Sequence, residues 1–180
     1  MKHQINTTKK MILTGMFTAV LSVMSQIQIP MPSGVPLSLQ TFAVALTGYI
    51  LGWKRGMGTI GIYLLLGLIG LPVFTGFTGG LGKIAGPTGG FLIGFLFLAA
   101  SCGGRRVRKK SVAAVLIPGS GLLVCHLFGI VHFSSLMERS FMEAALLMSV
   151  PYFWKDVLSV AAAYMTARML RKRIDLTAIR

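Results

Sequence analysis

Long apolar runs alternate with short polar or basic segments along the whole chain. The runs cover residues 11–29, 37–52, 57–82, 84–104, 111–131 and 141–167. A helix that crosses a bilayer needs roughly 20 mostly apolar residues. The pattern therefore predicts an all-α membrane protein, a bundle of six transmembrane helices that forms a single domain over residues 1–180.

The predicted helices end at prolines, glycines and basic residues. Four of them cover about residues 8–29, 39–51, 57–71 and 87–103. The fifth follows a basic cluster and extends to near His132, and the sixth covers about residues 141–169. Because proline cannot donate a helical hydrogen bond, Pro118 predicts a kink in the fifth helix and Pro151 a bend in the sixth. An outer loop between the first two helices is predicted from Pro30, Pro32, Gly34 and Pro36.

The segment between the third and fourth predicted helices, residues 71–90, is the least helix-like part of the chain. This Gly-rich segment contains repeated glycines and two prolines, yet it stays largely apolar. Glycine permits positive φ angles and the close approach of another molecule. At membrane depth, non-helical backbone is tolerated only where protein buries it or where it lines a cavity. We therefore expect an outer loop that contributes to a small-molecule site.

Basic residues cluster between every second pair of apolar runs. The clusters lie at residues 9–10, 54–55, 105–110 and 168–173. Six crossings place all four clusters on one side, and cytoplasmic loops carry the excess of Lys and Arg in membrane proteins. We therefore expect a multi-pass protein in contact with membrane lipid, with both termini in the cytoplasm. The formal net charge of +14 reflects this asymmetry, and nucleic acid is not expected as a partner.

The sequence contains no motif for nucleotide binding or catalysis. Residues 79–83 end in Gly-Lys, but Phe77 replaces the first glycine of a P-loop and Ile84 replaces the hydroxyl residue that binds Mg²⁺. No Gly-x-Ser-x-Gly motif is present. His126 and His132 lack a paired metal-ligand spacing and are interpreted as ordinary residues of the fifth helix. We expect neither enzyme activity nor a bound metal.

Lys155 and Asp156 interrupt the apolar pattern of the sixth predicted helix. Ionisable groups at membrane depth are costly, and they usually face a cavity or a partner. Adjacent residues of a helix point about 100° apart and do not face each other well, so at least one of the two is expected to have another partner. Lys83, the only charge in the Gly-rich segment, is predicted either to reach the outer interface or to meet a ligand carboxylate.

Three motifs follow one another in a fixed order. They are VPLSLQTF from Val35, GLIGLPVF from Gly67, and GGLG from Gly79 followed by GPTGGFLIGF from Gly86. This ordered set resembles the BioY family, the biotin-specific S components of energy-coupling-factor (ECF) vitamin transporters. The resemblance covers nearly the whole chain and is weakest in the fifth helix.

The resemblance implies a function and a set of partners. It implies a six-helix bundle with a vitamin site near the outer face, in a prokaryotic plasma membrane. The ligand would be biotin. The partners would be a membrane-embedded T component and two cytoplasmic ATPase subunits, which alone use ATP, so that this chain itself needs no cofactor.

The resemblance also implies where the ligand binds. In the family, the Gly-rich loop and the start of the fourth helix form the site together with a motif of the sixth helix, which Pro151, Tyr152 and Asp156 match. The family's lysine, three residues after the aspartate, is replaced here by Ser159. Some members have a polar amide and an arginine where this chain has Thr78 and Leu92, so the missing cation would come from Lys83 or Lys155.

A binding mode follows as a hypothesis from this resemblance. Asp156 would accept hydrogen bonds from the two urea N–H groups of biotin. The apolar parts of biotin would lie against aromatic residues, and its carboxylate would meet main-chain N–H groups with a polar side chain. The aromatic candidates are Phe77, Phe91, Tyr152 and Trp154, and the polar candidates are Thr78, Lys83 and Gln40. Gly15 and Ala19 of the first helix resemble the small-residue patch that docks on the T component.

Other functions stay open on the residues alone. Physical chemistry indicates a small, partly apolar ligand that binds from the outer face, and an S component for another small vitamin would fit equally well. An intramembrane enzyme would need a nucleophile and a base in one cavity, which the sequence does not display. A channel would pass its solute without ATP.

Overall fold

The computed structural model describes residues 2–31, 35–104 and 112–173, with side chains for residues 7–31, 35–104 and 112–171. The described residues form eight helices and one antiparallel pair of short strands. In chain order they are α1 (Lys2–Gln26), β1 (Gln28–Ile29), β2 (Leu37–Ser38), α2 (Gln40–Leu51), α3 (Trp53–Leu68), α4 (Leu81–Ala85), α5 (Gly89–Cys102), α6 (Ala113–Met137), α7 (Phe141–Met148) and α8 (Val150–Arg173). The basic cluster at residues 105–110 and residues Pro32 and Gly34 of the predicted outer loop lie outside these ranges.

The predicted helical fold is confirmed, with corrections at several ends. Helix α1 stops at Gln26, and Gln28 and Ile29 pair with Ser38 and Leu37 instead of extending the helix. Pro30 gives the physical reason, because the residue before a proline is disfavoured in the helical region. Helix α6 continues beyond the expected end to Met137 and contains Pro118 within its length.

The single long sixth helix that we predicted is wrong, because the structure contains two helices, α7 and α8, with Ser149 between them. Pro151 lies in the first turn of α8, where its missing N–H costs least. Helix α7 has its own start signal, a capping box in which the Ser140 hydroxyl accepts from the Glu143 N–H and the Glu143 carboxylate accepts from the Ser140 N–H.

Helix α2 lies at the centre of the molecule, and almost all of its residues are buried. Glycines allow its neighbours to approach closely. A Cβ at Gly48 would lie 2.4 Å from the carbonyl oxygen of Ala99 in α5, and a Cβ at Gly94 in α5 would lie 2.7 Å from the Cα of Cys125 in α6. Real Cβ atoms are not found at such distances. These two positions therefore need glycine for close packing, as expected for small residues at helix contacts.

The outer surface of the described helices is strongly apolar. Large hydrophobic side chains are exposed on α1, α3, α6 and α8, for example Ile12, Leu65, Val115 and Leu158. By length and composition, α6 is the one helix in the described part of the chain that passes a test for a membrane span, while α2 and α5 are apolar but shorter. Contiguous exposed apolar surface on this scale marks a protein or membrane contact region.

Candidate ligand-binding site

A cavity opens between α2, the Gly-rich segment, α5, α6 and α8. Its volume is about 590 Å³ when its open mouth is counted, and its closed interior is much smaller. Its wall is formed by Val35, Pro36, Ser38, Gln40, Thr41, Phe74, Thr75, Lys83, Thr88, Phe91, Leu92, Phe95, Leu122, Cys125, Tyr152, Lys155 and Asp156.

Most of the sequence-predicted site residues meet in this cavity. Those that line it are Gln40, Lys83, Phe91, Tyr152, Lys155 and Asp156. The remaining four, Phe77, Thr78, Trp154 and Ser159, do not. The side chain of Phe77 is 73% exposed, and the Thr78 hydroxyl donates to the carbonyl oxygen of Thr75 at 2.9 Å. Ser159 lines a separate surface hollow beside Trp154.

The end of α1 holds the Gly-rich segment in place. The Ser25 hydroxyl donates to the carbonyl oxygen of Val73 at 2.6 Å, and the Gln26 amide donates to that of Phe74 at 3.1 Å. The Gln26 side-chain oxygen in turn accepts from the Phe77 N–H at 2.8 Å. Non-helical backbone is thus satisfied by side-chain groups of a neighbouring helix, and the segment is anchored to the bundle.

Phe74 anchors the same segment through packing. Its ring is fully buried and meets the Tyr63 ring edge-on, with 5.3 Å between the ring centroids. A Cβ at Gly67 would lie 2.0 Å from the Phe74 ring, so a side chain at this position would displace it. The turns on either side use positive φ angles at Gly70 and Gly76, which glycine adopts without strain.

The start of α5 is fixed against α6. His132 Nε2 lies 3.0 Å from the carbonyl oxygen of Gly86, and a Cβ at Gly90 would lie 2.3 Å from the carbonyl oxygen of Phe128. Thr88, the residue just before α5, is directed to the cavity by this arrangement. Its hydroxyl is buried and has no hydrogen-bond partner among the residues that the structure describes.

The carboxylate of Asp156 is the centre of a buried charge cluster on α8. Its Oδ1 atom contacts the ammonium of Lys155, and its Oδ2 atom lies 3.2 Å from Nε2 of His126. Lys155 also donates to the carbonyl oxygen of Ser38 at 3.1 Å. Both residues thus have a second partner, as expected. The adjacent pair nevertheless makes contact, because the lysine side chain is long enough to reach back.

His126 is the site residue that sequence reasoning missed. It is almost fully buried, and its Nδ1 atom lies 2.9 Å from the hydroxyl of Ser149, in the gap between α7 and α8. Its ring packs edge-on against Phe91 and Phe153, with centroid distances of 5.6 and 5.5 Å. Histidine spacing carries no signal for this contact, because the partners lie on other helices.

Three further hydrogen bonds connect the cavity walls. The Tyr152 hydroxyl donates to the carbonyl oxygen of Val35 at 2.5 Å. The Gln40 amide donates to the Tyr63 hydroxyl at 2.7 Å, which donates to the carbonyl oxygen of Val73 at 3.1 Å. The segment before β2, helix α2 and the Gly-rich segment are therefore held in register around the opening.

Lys83 differs from the other charges of the cavity. Its side chain is half-buried, and within the described ranges its ammonium makes no hydrogen bond or ion pair. Burial lowers the pKa of its ammonium below the ordinary lysine value, because the charged form loses part of its hydration. An anionic ligand group would restore that lost stabilisation.

The site suits binding better than acyl-transfer chemistry. Ser149, His126 and Asp156 lie in series, as in some hydrolases, but neither Ser149 nor His126 lines the cavity. A nucleophile must reach the substrate, so this series cannot act on a ligand held in the cavity. The apolar wall with a few convergent polar groups is typical of a small-molecule site.

Comparisons with known proteins agree with this description. The sequence profile of the BioY family matches residues 1–176. A protein of Thermotoga maritima described as "Biotin transporter BioY" is 37% identical over 165 residues, which cover 91% of this chain and 96% of that protein. A "Probable biotin transporter BioY" of Pyrococcus horikoshii is 36% identical over 163 residues, covering 91% and 96% of the two chains.

A solved structure shares the fold. It is the crystal structure of the S-component for biotin from an ECF-type ABC transporter, with a TM-score of 0.83 and 26% sequence identity over 92% of each chain. These relatives are transporter proteins rather than enzymes. On the match over almost its whole length, the chain belongs to the BioY family.

Proposed function

We propose that this protein is the biotin-binding S component of an ECF-type vitamin importer. The observation that carries the proposal is a cavity that combines polar groups from separate elements, Lys83 and Thr88 from the Gly-rich segment and Asp156 from α8, with aromatic and aliphatic residues, in a chain of the BioY family. Biotin has the matching form, because a urea and a carboxylate lie at opposite ends of an apolar ring and chain.

The proposal includes a membrane arrangement. Helices α1, α2, α3, α5 and α6, and the α7–α8 pair, would make six crossings in a prokaryotic plasma membrane. Exposed apolar side chains on α1, α3, α6 and α8 support this arrangement, because they would contact lipid tails. Lys54 and Arg55 begin α3 and Arg168 lies near the end of α8, so the positive-inside rule makes that face cytoplasmic. The cavity mouth would then face outward.

Asp156 would bind the urea of biotin. A carboxylate accepts from two N–H donors, and hydrogen bonds to a charged group contribute about 1.5–3 kcal/mol each. Phe91 and Tyr152 line the cavity beside Asp156 and would contact the rings of the ligand. Lys155 is already committed to Asp156 and Ser38, so it would orient the carboxylate rather than bind the other end of biotin.

Lys83 and Thr88 would hold the carboxylate of biotin. Both line the cavity, and neither the Lys83 ammonium nor the Thr88 hydroxyl has a hydrogen-bond partner in the part of the chain that the structure describes. Gln40 is a weaker partner for an anion, because it is neutral and already uses one of its two amide N–H donors on Tyr63. This assignment replaces the cation that the family has at the position of Ser159.

Import requires partners that this chain does not contain. A T component and two ATPase subunits would bind at the membrane and cytoplasmic faces and supply the work of ATP hydrolysis. Gly15 and Ala19 are exposed on α1, and a Cβ at Gly15 would meet no described atom within 4 Å. An exposed small-residue patch on an apolar helix allows close approach of a partner helix.

Replacing Gly15 and Ala19 by leucine tests the docking patch. We expect the double variant to bind biotin with wild-type affinity but to lose uptake in cells that contain the whole importer, because leucine side chains would separate the two helices. A matched Met11→Leu variant, at another exposed position of α1, should keep uptake. Loss of biotin binding in the double variant would contradict the docking role.

Direct binding tests the proposed function. The detergent-purified protein should bind biotin in an equilibrium titration and leave riboflavin and thiamine unbound. Tight binding of one of the other vitamins would make the protein an S component for that ligand. No binding of any of the three, by folded protein, would overturn the proposal. Uptake into vesicles without ATP or the partner subunits would instead indicate a channel.

A further inference from the structure

We propose that His126 is a positioning residue that fixes the Asp156 carboxylate in the orientation needed for the ligand. This inference rests on the proposed function, because it assigns a role within the same site. His126 does not line the cavity, so it would act only through Asp156. The Ser149 hydroxyl is the third member of the arrangement, because its contact with Nδ1 favours a proton on the other ring nitrogen.

The neighbours of its two ring nitrogens point to the tautomer of His126. The Nε2 atom lies 3.2 Å from an Asp156 oxygen without meeting hydrogen-bond geometry, and only a proton on Nε2 makes this contact with the negative oxygen attractive. In the neutral ring Nδ1 is then an acceptor, and the Ser149 hydroxyl 2.9 Å away donates to it. The second nitrogen of a histidine commonly sets its tautomer in this way. Ser149 therefore directs the His126 proton toward Asp156.

The two oxygens of Asp156 have different neighbours. Lys155, on the same helix as Asp156, contacts Oδ1, and His126 from α6 contacts Oδ2. Lys155 is held at its other side by the carbonyl oxygen of Ser38. With a positively polarised group held against each oxygen, the carboxylate plane cannot rotate freely. A preorganised acceptor loses little entropy when a ligand binds.

His126 also connects three elements that the apolar pattern alone would leave independent. It belongs to α6, its Nδ1 atom meets Ser149 between α7 and α8, and its Nε2 atom meets Asp156 in α8. The interruption at Ser149 is what brings that hydroxyl to the ring. The break before Pro151 therefore has a role in the site, beyond the local effect of the proline.

A purely structural role is the competing explanation, because the ring also packs against Phe91 and Phe153. Two substitutions separate the roles. His126→Gln keeps a donor near the position of Nε2 but loses the aromatic ring. His126→Phe keeps the ring but loses the donor. If His126 positions Asp156, the His126→Gln protein should keep biotin binding. If His126 only packs against its neighbours, the His126→Phe protein should keep it.

The experiment measures biotin affinity and thermal stability of the purified wild type, His126→Gln and His126→Phe proteins. We expect His126→Phe to weaken biotin binding about tenfold or more while its melting temperature stays close to that of the wild type. His126→Gln should stay within about threefold of the wild-type affinity. The opposite order, with phenylalanine tolerated and glutamine not, would overturn the inference, and so would equal affinities in all three proteins.

Nitrogen NMR of the imidazole groups gives a readout that needs no ligand. We expect the His126 signals of the ligand-free protein to show a proton on Nε2 and none on Nδ1, and Ser149→Ala to mix the two tautomers. A proton on Nδ1 in the wild type would overturn the inference. If the NMR result is as expected but wild-type protein does not bind biotin, the proposed function fails while the His126–Asp156 contact stands.

Discussion

The polar part of the cavity wall on α8 and the polar part on the Gly-rich segment and the start of α5 differ in how completely their side chains are paired. At the α8 end, Asp156 is held by Lys155 and His126. At the other end, the Lys83 ammonium and the Thr88 hydroxyl have no partner in the described ranges. The first end is organised before a ligand arrives. The second end has donors that only a ligand would satisfy.

This difference indicates how one site can read two ends of a ligand. A buried charge is tolerated only with partners, so the Asp156 cluster must be complete in the folded protein. Unpaired buried donors cost free energy until something accepts from them. Binding at the second end would recover that cost, which makes its donors selective for a ligand with an acceptor at the correct distance from the urea.

The largest effect is expected from Asp156→Ala, which removes the organised end. Biotin binding should weaken by at least about 1.5–3 kcal/mol, roughly 10- to 150-fold, which is the contribution of one of the two charge-assisted hydrogen bonds that are lost. Isothermal titration of the purified variant measures this change. Asp156→Asn, which keeps the size of the side chain but not its charge, is the matched control. Its affinity for biotin should lie between those of the wild type and the alanine variant. Wild-type affinity in the alanine variant would show that Asp156 does not bind the ligand.

A smaller effect, about tenfold, is expected from Lys83→Ala, because this ammonium is half-buried and remains partly screened by water. The effect should depend on pH. Burial lowers the pKa of Lys83, so its charge is full below that pKa and is lost as pH rises through it. Wild-type affinity should therefore decrease at an alkaline pH below the range of an exposed lysine.

Lys83→Arg is the control for this pH dependence, since arginine stays protonated in proteins. Its affinity for biotin should be nearly constant over the pH range in which the wild type weakens. Titrations at several alkaline pH values measure both proteins. The same alkaline loss in the arginine variant would assign the titration to another group and remove Lys83 from the carboxylate end.

The smallest effect is expected from Thr88→Val, which removes the unpaired hydroxyl and keeps the side-chain shape. Biotin affinity should decrease about three- to fivefold, while the melting temperature should stay constant or rise, because no internal hydrogen bond is broken. Thr78→Val is the matched control, since Thr78 does not line the cavity and its hydroxyl already donates to the carbonyl oxygen of Thr75. An effect at Thr78 that equals or exceeds the effect at Thr88 would reverse this assignment.

The apolar pattern was sufficient to locate most helices but not the interruption at Ser149. Apolar residues continue through the run that contains α7 and α8, so hydrophobicity does not register a break. Pro151 predicted a bend at this point, and the structure instead ends one helix at Met148 and begins the next at Val150.

The site was only partly accessible from the sequence, for a related reason. Asp156 is a rare charge in apolar surroundings, and its cost predicts a function, whereas the sequence left Lys83 either at the outer interface or at a ligand carboxylate. His126 lies in α6 and Asp156 in α8, with α7 between them. The role of His126 depends on a contact between these helices that residue spacing does not predict. Thr78 and Thr88 are both threonines of the Gly-rich segment, and the sequence alone does not distinguish their roles. Only the structure distinguishes the hydroxyl that has an internal acceptor from the one that has none.

The central claim is that the ligand's urea lies at Asp156 and its carboxylate at Lys83. The most direct measurement compares the affinities of biotin and biotin methyl ester, in which the carboxylate is masked, for wild-type, Lys83→Ala and Asp156→Asn proteins. We expect masking to weaken binding to the wild type and to Asp156→Asn by similar factors, and to have little effect on Lys83→Ala. A loss that persists in Lys83→Ala and disappears in Asp156→Asn would contradict the account.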